Sequence, residues 1–413
     1  MLEQSEGSGY TSQQQDYILP SPVEEGLGVR LPTLSYVSHF AEDIYEFNPR
    51  LFYNAYSDDD ETYQKKWWAQ LGFPVTLMRQ KLRYQRGGID TLVTRSTMPV
   101  NIWDCFVEYK AINHKTGNAQ KLILQYIATS STPDLQNLVD MRDDTDPLNI
   151  RIGNNRLRNA INHQFSFGHE WGNANRKESS HQYWLGYTII QNALAVGYSY
   201  DQATGTRTWQ ADNVNGNWNA DANYRFNTTI DKKHPLRLNV SPSINYQHSV
   251  NLVDQERNTV NTLSLNNTLS LSYKLGNHSL SFKNTTLWQS FTTPNVQYAA
   301  ISSQPLTLTN ALTALLKLPL QIELNTDLTL YTRTGYADSR LNTTDLVWNA
   351  RLMRPFLKGR LLLMVDGFDI LGQLDNITRI VNAQGRTETY TNVLPRYALL
   401  HMVYRFTKQP KKK

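Results

Sequence analysis

The 413-residue chain carries 41 basic against 36 acidic side chains, a net charge of +5 and a pI near 9.0. Only 19% of residues are charged while 9 Trp, 23 Tyr and 13 Phe are present, a balance that excludes a disordered charged tail. Mean hydropathy is −0.52, and the longest aliphatic stretch, Leu361 to Val365, falls far short of the ~20 apolar residues of a membrane helix; strand spans, which show lipid at every second side chain, are not excluded.

In chain order, residues 1–28, with Gln13, Gln14, Gln15 and two prolines, read as a loop-like or disordered lead without a secretory signal. The stretch from Gly28 to Ser130 carries about five or six strands by pattern alone. Within it, Asp58-Asp59-Asp60-Glu61 lacks the ligand spacing of a Ca²⁺ loop and reads as solvated. Gly87-Gly88 reads as a tight turn, because no helix follows to cradle a phosphate. Cys105 is the single cysteine, which excludes an internal disulfide framework and a thiolate metal cluster.

From Leu157 onward the pattern has period two. Ile161, His163, Phe165, Phe167 and Trp171 share one parity, as do Trp218, Ala220, Ala222, Tyr224 and Phe226. Between Leu236 and Val250 the even positions are mainly apolar (Leu236, Leu238, Val240, Ile244, Tyr246, Val250) and the odd ones all polar. Leu263 to Leu275, Ile322 to Leu330 and Leu346 to Leu352 repeat the alternation, which helical spacing cannot produce. The predicted strands run to roughly 10–16 residues, beyond the usual soluble strand and long enough to cross a bilayer at a tilt. Short links at Asp231–His234, Gly276–His278, Pro319 and Arg354–Lys358 alternate with longer polar links. The longer ones are Asp201–Asn213, Val253–Asn258, Thr292–Ser303, Gly335–Asn342 and Asp369–Pro395, as in a barrel with tight periplasmic turns and long outer loops. About eleven strands lie between Leu157 and Phe406, and the total of roughly 15–18 predicts an all-β, antiparallel transmembrane β-barrel over 29–406. The best count is odd, which points to an incomplete barrel. Trp67, Trp68, Trp171, Trp184, Trp209, Trp218, Trp288 and Trp348 are expected near strand ends, as interfacial girdles. Residues 407–413, ending in Lys411, Lys412 and Lys413, read as a basic periplasmic tail rather than a nucleic-acid site.

Thr132 to Phe165 contains Pro133, Leu135, Leu138, the acidic run Asp143, Asp144 and Asp146, then Pro147-Leu148, Ile150, Gly153-Asn154-Asn155 and Leu157. This order resembles the outer loop and descending strand of the outer-membrane β-barrel proteins of Bacteroidota, close to TonB-dependent receptors. Asn155 stands where the family has a proline, and Arg158-Asn159 where a Lys-Pro is usual. The segment Asp201-Gln202-Ala203-Thr204-Gly205 leading to Asn213-Val214-Asn215-Gly216 is similar to this family's long loop. At the C-terminus Ala398, Leu400, Met402, Tyr404 and Phe406 resemble a closing strand, with Tyr404 and Phe406 as its aromatic assembly signal. The resemblance covers about two thirds of the chain and implies an outer-membrane location, with lipid, lipopolysaccharide and the barrel assembly machinery as partners. It also implies uptake of a nutrient or other ligand, energised by TonB acting on a plug domain; the plug has no room before the first strand, so the chain is expected to be the barrel portion of a longer receptor.

No catalytic site, cofactor or metal site is predicted. The nine histidines form no H-E-x-x-H motif, and His163 and His169 lie roughly 20 Å apart along one strand at ~3.3 Å per residue. The expected functional surface is the lumen, where Arg225, Arg237, Lys274, Glu323, Asp327, Arg333 and Arg351 place charge of both signs, together with the outer loops, Asp369–Pro395 first among them. Two other readings fit the same composition: a plugless diffusion pore, and a soluble secreted β protein that binds carbohydrate.

Overall fold

The computed structural model describes residues 2–15, 18–20, 28–30, 36–59, 62–86, 89–97, 104–139, 142–144, 146–173, 179–231, 236–254, 256–293, 304–336, 339–374, 377–382, 385–390, 394 and 396–406. Seventeen antiparallel strands form one large sheet. They are β1 (Tyr36–Asp59), β2 (Tyr63–Gly72), β3 (Val75–Arg86), β4 (Ile89–Thr97), β5 (Asp104–Asn113), β6 (Asn118–Ser131), β7 (Ala160–Asn173), β8 (Ser179–Gln191), β9 (Asn217–Asp231), β10 (Leu236–Val253), β11 (Glu256–Leu275), β12 (His278–Thr292), β13 (Leu306–Leu318), β14 (Ile322–Thr334), β15 (Thr343–Phe356), β16 (Leu361–Phe368) and β17 (Tyr397–Tyr404). The fold is the expected all-β antiparallel barrel, and its strand number lies within the range read from the pattern.

Each of β5 through β17 pairs with its chain neighbour, so most of the wall is built from consecutive antiparallel pairs. The alternation of sequence becomes two faces. On one, Val107, Leu124, Phe167, Leu185, Ala222, Ile244, Leu265 and Trp288 sit in register across eight strands. This is the outward face. Two aromatic bands mark it: Trp67 against Tyr109, Trp171 against His181 and Tyr183 against Tyr224 toward the short-turn end, and Trp218 against Tyr246 toward the long-loop end. Trp68 and Trp184 differ from the girdle expectation, for by strand parity they face inward. Trp184 lies across Gly168, where an added Cβ would sit 2.8 Å from the indole; the glycine makes room for the ring.

Toward the long-loop end the structure departs from simple spans. β2 and β3 act as one partner of β1, since Arg50 opposes Gly72 and Phe47 opposes Val75, and the Phe73 N–H donates to the Pro49 carbonyl (3.0 Å) across the junction. β1 therefore reaches 24 residues, longer than the predicted strands. Its first half, with β3, β4 and the strand Leu2–Gln15 from the stretch read as a lead, forms a four-stranded extension. Three of the expected loops also contain strands. Asp201–Asn213 lies in a hairpin of Ala193–Asp201 and Thr206–Val214, and Asp369–Pro395 holds the pair Ile377–Asn382 and Gly385–Tyr390. The Val253–Asn258 link closes tightly, with Val253 opposite Glu256 and Asp254 at φ 50, a conformation aspartate tolerates. Gly87-Gly88, Asp60-Glu61 and residues 407–413 lie outside the described residues.

The family-like loop folds onto the inward-parity face of the extension. Leu135 (1% exposed), Leu138, Val139 and Leu157 pack with Leu82 of β3 and Ala211 of the outer hairpin, with Phe40 and Val93 alongside. Pro133 is buried at the start of this turn, and the Asp134 carboxylate caps it by accepting from the Gln136 N–H (2.9 Å). Gly153 passes so close to Val139 that an added Cβ would lie 1.6 Å from its carbonyl oxygen. Asn154 is buried and ties the loop at three points: its N–H donates to the Asn137 carbonyl (2.6 Å), its amide donates to the Ala211 carbonyl (3.0 Å), and its oxygen accepts from the Arg156 N–H (3.0 Å). Replacing Leu135 by Ala is expected to cost about 2–5 kcal/mol of local stability, because Leu135 is fully buried and its removal leaves a cavity among the side chains packed around it. Limited proteolysis should then cut within 132–157 while the barrel keeps its heat-modifiable mobility on gels.

Candidate functional site

The inward face carries most of the polar residues of the strands. β8 to β12 contribute Ser180, Asn227, Asn239, Ser272 and Ser281, which hydrogen-bond laterally: Asn227 to Ser180 (3.4 Å), Asn239 to Asn227, and Ser281 to Ser272 (3.3 Å). Together with Arg237 several of them line a cavity of about 810 Å³ toward the short-turn end. Such amide and hydroxyl ladders suit a water-facing wall.

All seven predicted lumen charges have inward parity, but they divide into two groups. Glu323 pairs with Lys317, Asp327 accepts from Asn349 (2.9 Å), and Arg333 contacts Asp345 (3.3 Å) and Thr343 (3.0 Å). Arg351 grips Asp366 through Nε (2.5 Å) and Nη2 (3.0 Å), and His401 Nε2 lies 2.9 Å from the same carboxylate. Asp366 is 2% exposed. Three of these four charges are thus closed by an opposite charge on β13–β17, and Asp327 is held by a neutral amide. On the other part, Arg225, Arg237 and Lys274 make no side-chain ion pair among the described residues, and they are joined by two lysines the sequence reading did not single out, Lys66 of β2 and Lys110 of β5.

These lysines stand in a row. Lys66 is directly opposite Lys110, Lys110 opposite Lys121, Lys121 opposite Glu170, then Gln182 and Arg225 follow in register. Lys121 is tied to Glu108 (3.2 Å), while Lys66 and Lys110 face the lumen uncompensated. Like charges directly opposite on a sheet repel. Beside the row Trp68 packs on Phe106 with ring centroids 4.8 Å apart, an aromatic pair in an otherwise amide-rich lumen. The row escaped notice because Lys65-Lys66 and Trp67-Trp68 place the same residue type on both parities, which blurs the alternation. Asp366 could have been found: it is the one charged residue of the otherwise apolar run Leu361–Phe368.

At the outer end the remaining family-motif residues hold loops rather than chemistry. Asp146 forms a turn in which its carboxylate accepts from the Asn149 amide (2.7 Å) and the Leu148 N–H (2.9 Å), which hold its pKa below the usual carboxylate range. The Pro147 carbonyl accepts from Thr206 (3.2 Å), joining this turn to the outer hairpin. Asp143 and Asp144, in the acidic run, receive the two Nη atoms of the buried Arg86 (3.0 and 2.9 Å). Burial lowers the Arg95 guanidinium pKa where it donates to the Leu157 carbonyl and Asn159. Tyr404 and Phe406 stack edge to face at 4.5 Å at the end of β17, where Leu400 (75%), Met402 (72%) and Phe406 (90%) are among the most exposed apolar residues of the chain. His163 and His169 are engaged separately, by Tyr126 (2.9 Å) and by stacking on Tyr183, and no group of three or more His, Cys, Asp or Glu among the described residues could hold a metal ion.

Two outcomes follow from these contacts. Arg351→Leu is expected to lower the urea midpoint of the folded barrel, because it leaves the buried Asp366 carboxylate without its two-pronged partner. On the extension, hydrogen bonds from Arg83 and then Gln85 draw the Asp90 carboxyl down to about 2. A depressed carboxyl stabilises the fold above its unfolded value of ~3.9 and loses that contribution as pH falls toward 2. Carboxyl NMR titration should give Asp90 a midpoint near 2, and Arg83→Gln should return it toward ~3.9.

A family model described as the outer membrane protein beta-barrel family matches residues 52–292, more than half of the chain, from the second half of β1 through β12. No curated protein and no solved structure matches. With its two-faced antiparallel wall, aromatic bands and polar lumen, the chain belongs to the outer membrane protein β-barrel family and resides in the outer membrane.

Proposed function

We propose that the chain forms the wall of an uptake barrel of the TonB-dependent-receptor type, in which a plug occupies the lumen and the outer loops receive a nutrient or other ligand. The observation that carries this reading is the unequal charge of the two parts of the wall. Lys66, Lys110, Arg225, Arg237 and Lys274 make no ion pair among the described residues, while Glu323, Arg333 and Arg351 on β14 and β15 are each ion-paired within the wall. A purely water-filled wall has no need to hold lysines opposite one another against their repulsion, whereas a lumen filled by an occupant with acidic groups turns that repulsion into attraction. A barrel of this width has room for such an occupant.

The test uses the full-length protein from its native outer membrane. The expected results are silence in planar bilayers and co-purification of TonB after in vivo cross-linking. Steady ohmic conductance of the unmodified protein would identify a plugless diffusion pore and overturn the proposal. The double variant Lys66→Glu, Lys110→Glu is expected to open a conducting path by repelling the occupant, with its heat-modifiable band unchanged.

A further inference from the structure

The outward positions of β13–β17 carry a single charge, Arg354 of β15, which stands opposite Leu363 on the face that holds Leu352 and Trp348. A charge on the lipid side is tolerated only near a membrane surface. Arg354 meets that condition, because the turn Leu357–Gly359 begins about 10 Å further along the strand, and the next outward row, Phe356, Leu361 and Tyr404, carries aromatic rings suited to the headgroup zone. Its guanidinium lies over the Phe356 ring, 4.7 Å from the centroid, so the side chain runs toward the turn. No acceptor meets it there. Arg354 Nε is enclosed without a hydrogen bond, and the guanidinium makes no ion pair among the described residues.

The turn adds further cations and no acid. Lys358, Arg360 and Arg405 are exposed, and the Arg405 N–H donates to the Arg360 carbonyl (2.7 Å), which sets these two like charges side by side at the rim. The carboxylates of β14–β17 do not compensate them: Glu323, Asp327, Asp345 and Asp366 all have inward parity, and three of the four are ion-paired to Lys317, Arg333 and Arg351.

We propose that this rim is a binding site for an anionic glycerophospholipid of the periplasmic leaflet. Arg354 takes the phosphate, for which a planar guanidinium offers two parallel hydrogen bonds, and Lys358, Arg360 and Arg405 supply the positive field around it. The acyl chains lie along Leu352, Leu400 and Met402, exposed on the same outward face on the side away from the turn. The sign of the rim selects the headgroup, since a zwitterionic lipid would bring its ammonium among four cations and an anionic one would not. This inference needs only the outer-membrane location and is independent of what the lumen carries.

The test is native mass spectrometry of the full-length protein released from nanodiscs of equal parts phosphatidylglycerol and phosphatidylethanolamine. Phosphatidylglycerol should be retained in preference, and Arg354→Leu combined with Lys358→Gln should weaken its binding about tenfold or more, the effect of removing two cations beside a phosphate. Lys65→Gln, which removes an outward cation of β2, should change nothing. The heat-modifiable band on gels reports folding of each variant; should Arg354→Leu lose it, Lys358→Gln, Arg360→Gln and Arg405→Gln combined make the same test. Equal retention of the two lipids overturns the proposal. So does an equal loss with Lys65→Gln, displacement of the lipid by inorganic phosphate, which would mark a site for a free anion, or displacement by lipopolysaccharide, which belongs to the other leaflet.

Discussion

Hydrocarbon offers no partner to a peptide group, so a chain that crosses it by strands must satisfy every backbone N–H and C=O from the next strand. That requirement fixes nearly everything else here. It keeps β5 through β17 in unbroken antiparallel pairing, and pairing in turn locks side-chain parity across neighbours. Once Leu124 faces outward, Phe167, Leu185, Ala222, Ile244 and Leu265 must do so as well, and the charges between them must face the lumen. The two surfaces of the barrel are one constraint seen twice.

Beyond the membrane the constraint relaxes and a different one takes over. Strands that continue into water need a core of their own, and the chain supplies it by folding the Thr132–Leu157 loop against the extension. Leu135, Leu138 and Leu157 fill that core, Gly153 permits the close approach, and Asn154 satisfies backbone groups that the packing removes from water. The motif residues therefore explain themselves as packing. Asp146 and Pro147 order a turn and anchor the outer hairpin, so the outer end is braced.

Charge is distributed with a similar division of labour. Where β14–β17 bring Arg351 against Asp366 and Arg333 against Asp345, the wall is self-sufficient and the contacts rigidify it. Where Lys66 and Lys110 stand together, the wall is electrostatically incomplete. On the outward face Asn284 and Asn310 bond to each other, and the low dielectric of lipid strengthens such a pair.

The period-two pattern by itself determined the fold class, the strand number within its range, the location in a membrane and the parity of Arg225, Arg237, Lys274, Glu323, Asp327, Arg333 and Arg351, because side-chain alternation is a local property of extended backbone. The tertiary structure alone decided which of those charges are neutralised, that Lys66 and Lys110 are neighbours, and that Asp201–Asn213 forms a hairpin docked on the Thr132–Leu157 loop. Register between strands sets these outcomes, and it depends on pairing partners tens of residues away that no local pattern specifies. The initial figures change meaning accordingly: a net charge of +5 spread over 413 residues looks diffuse in the sequence, and in the folded wall its uncompensated lumen-facing part collects on β2, β5 and β9–β11.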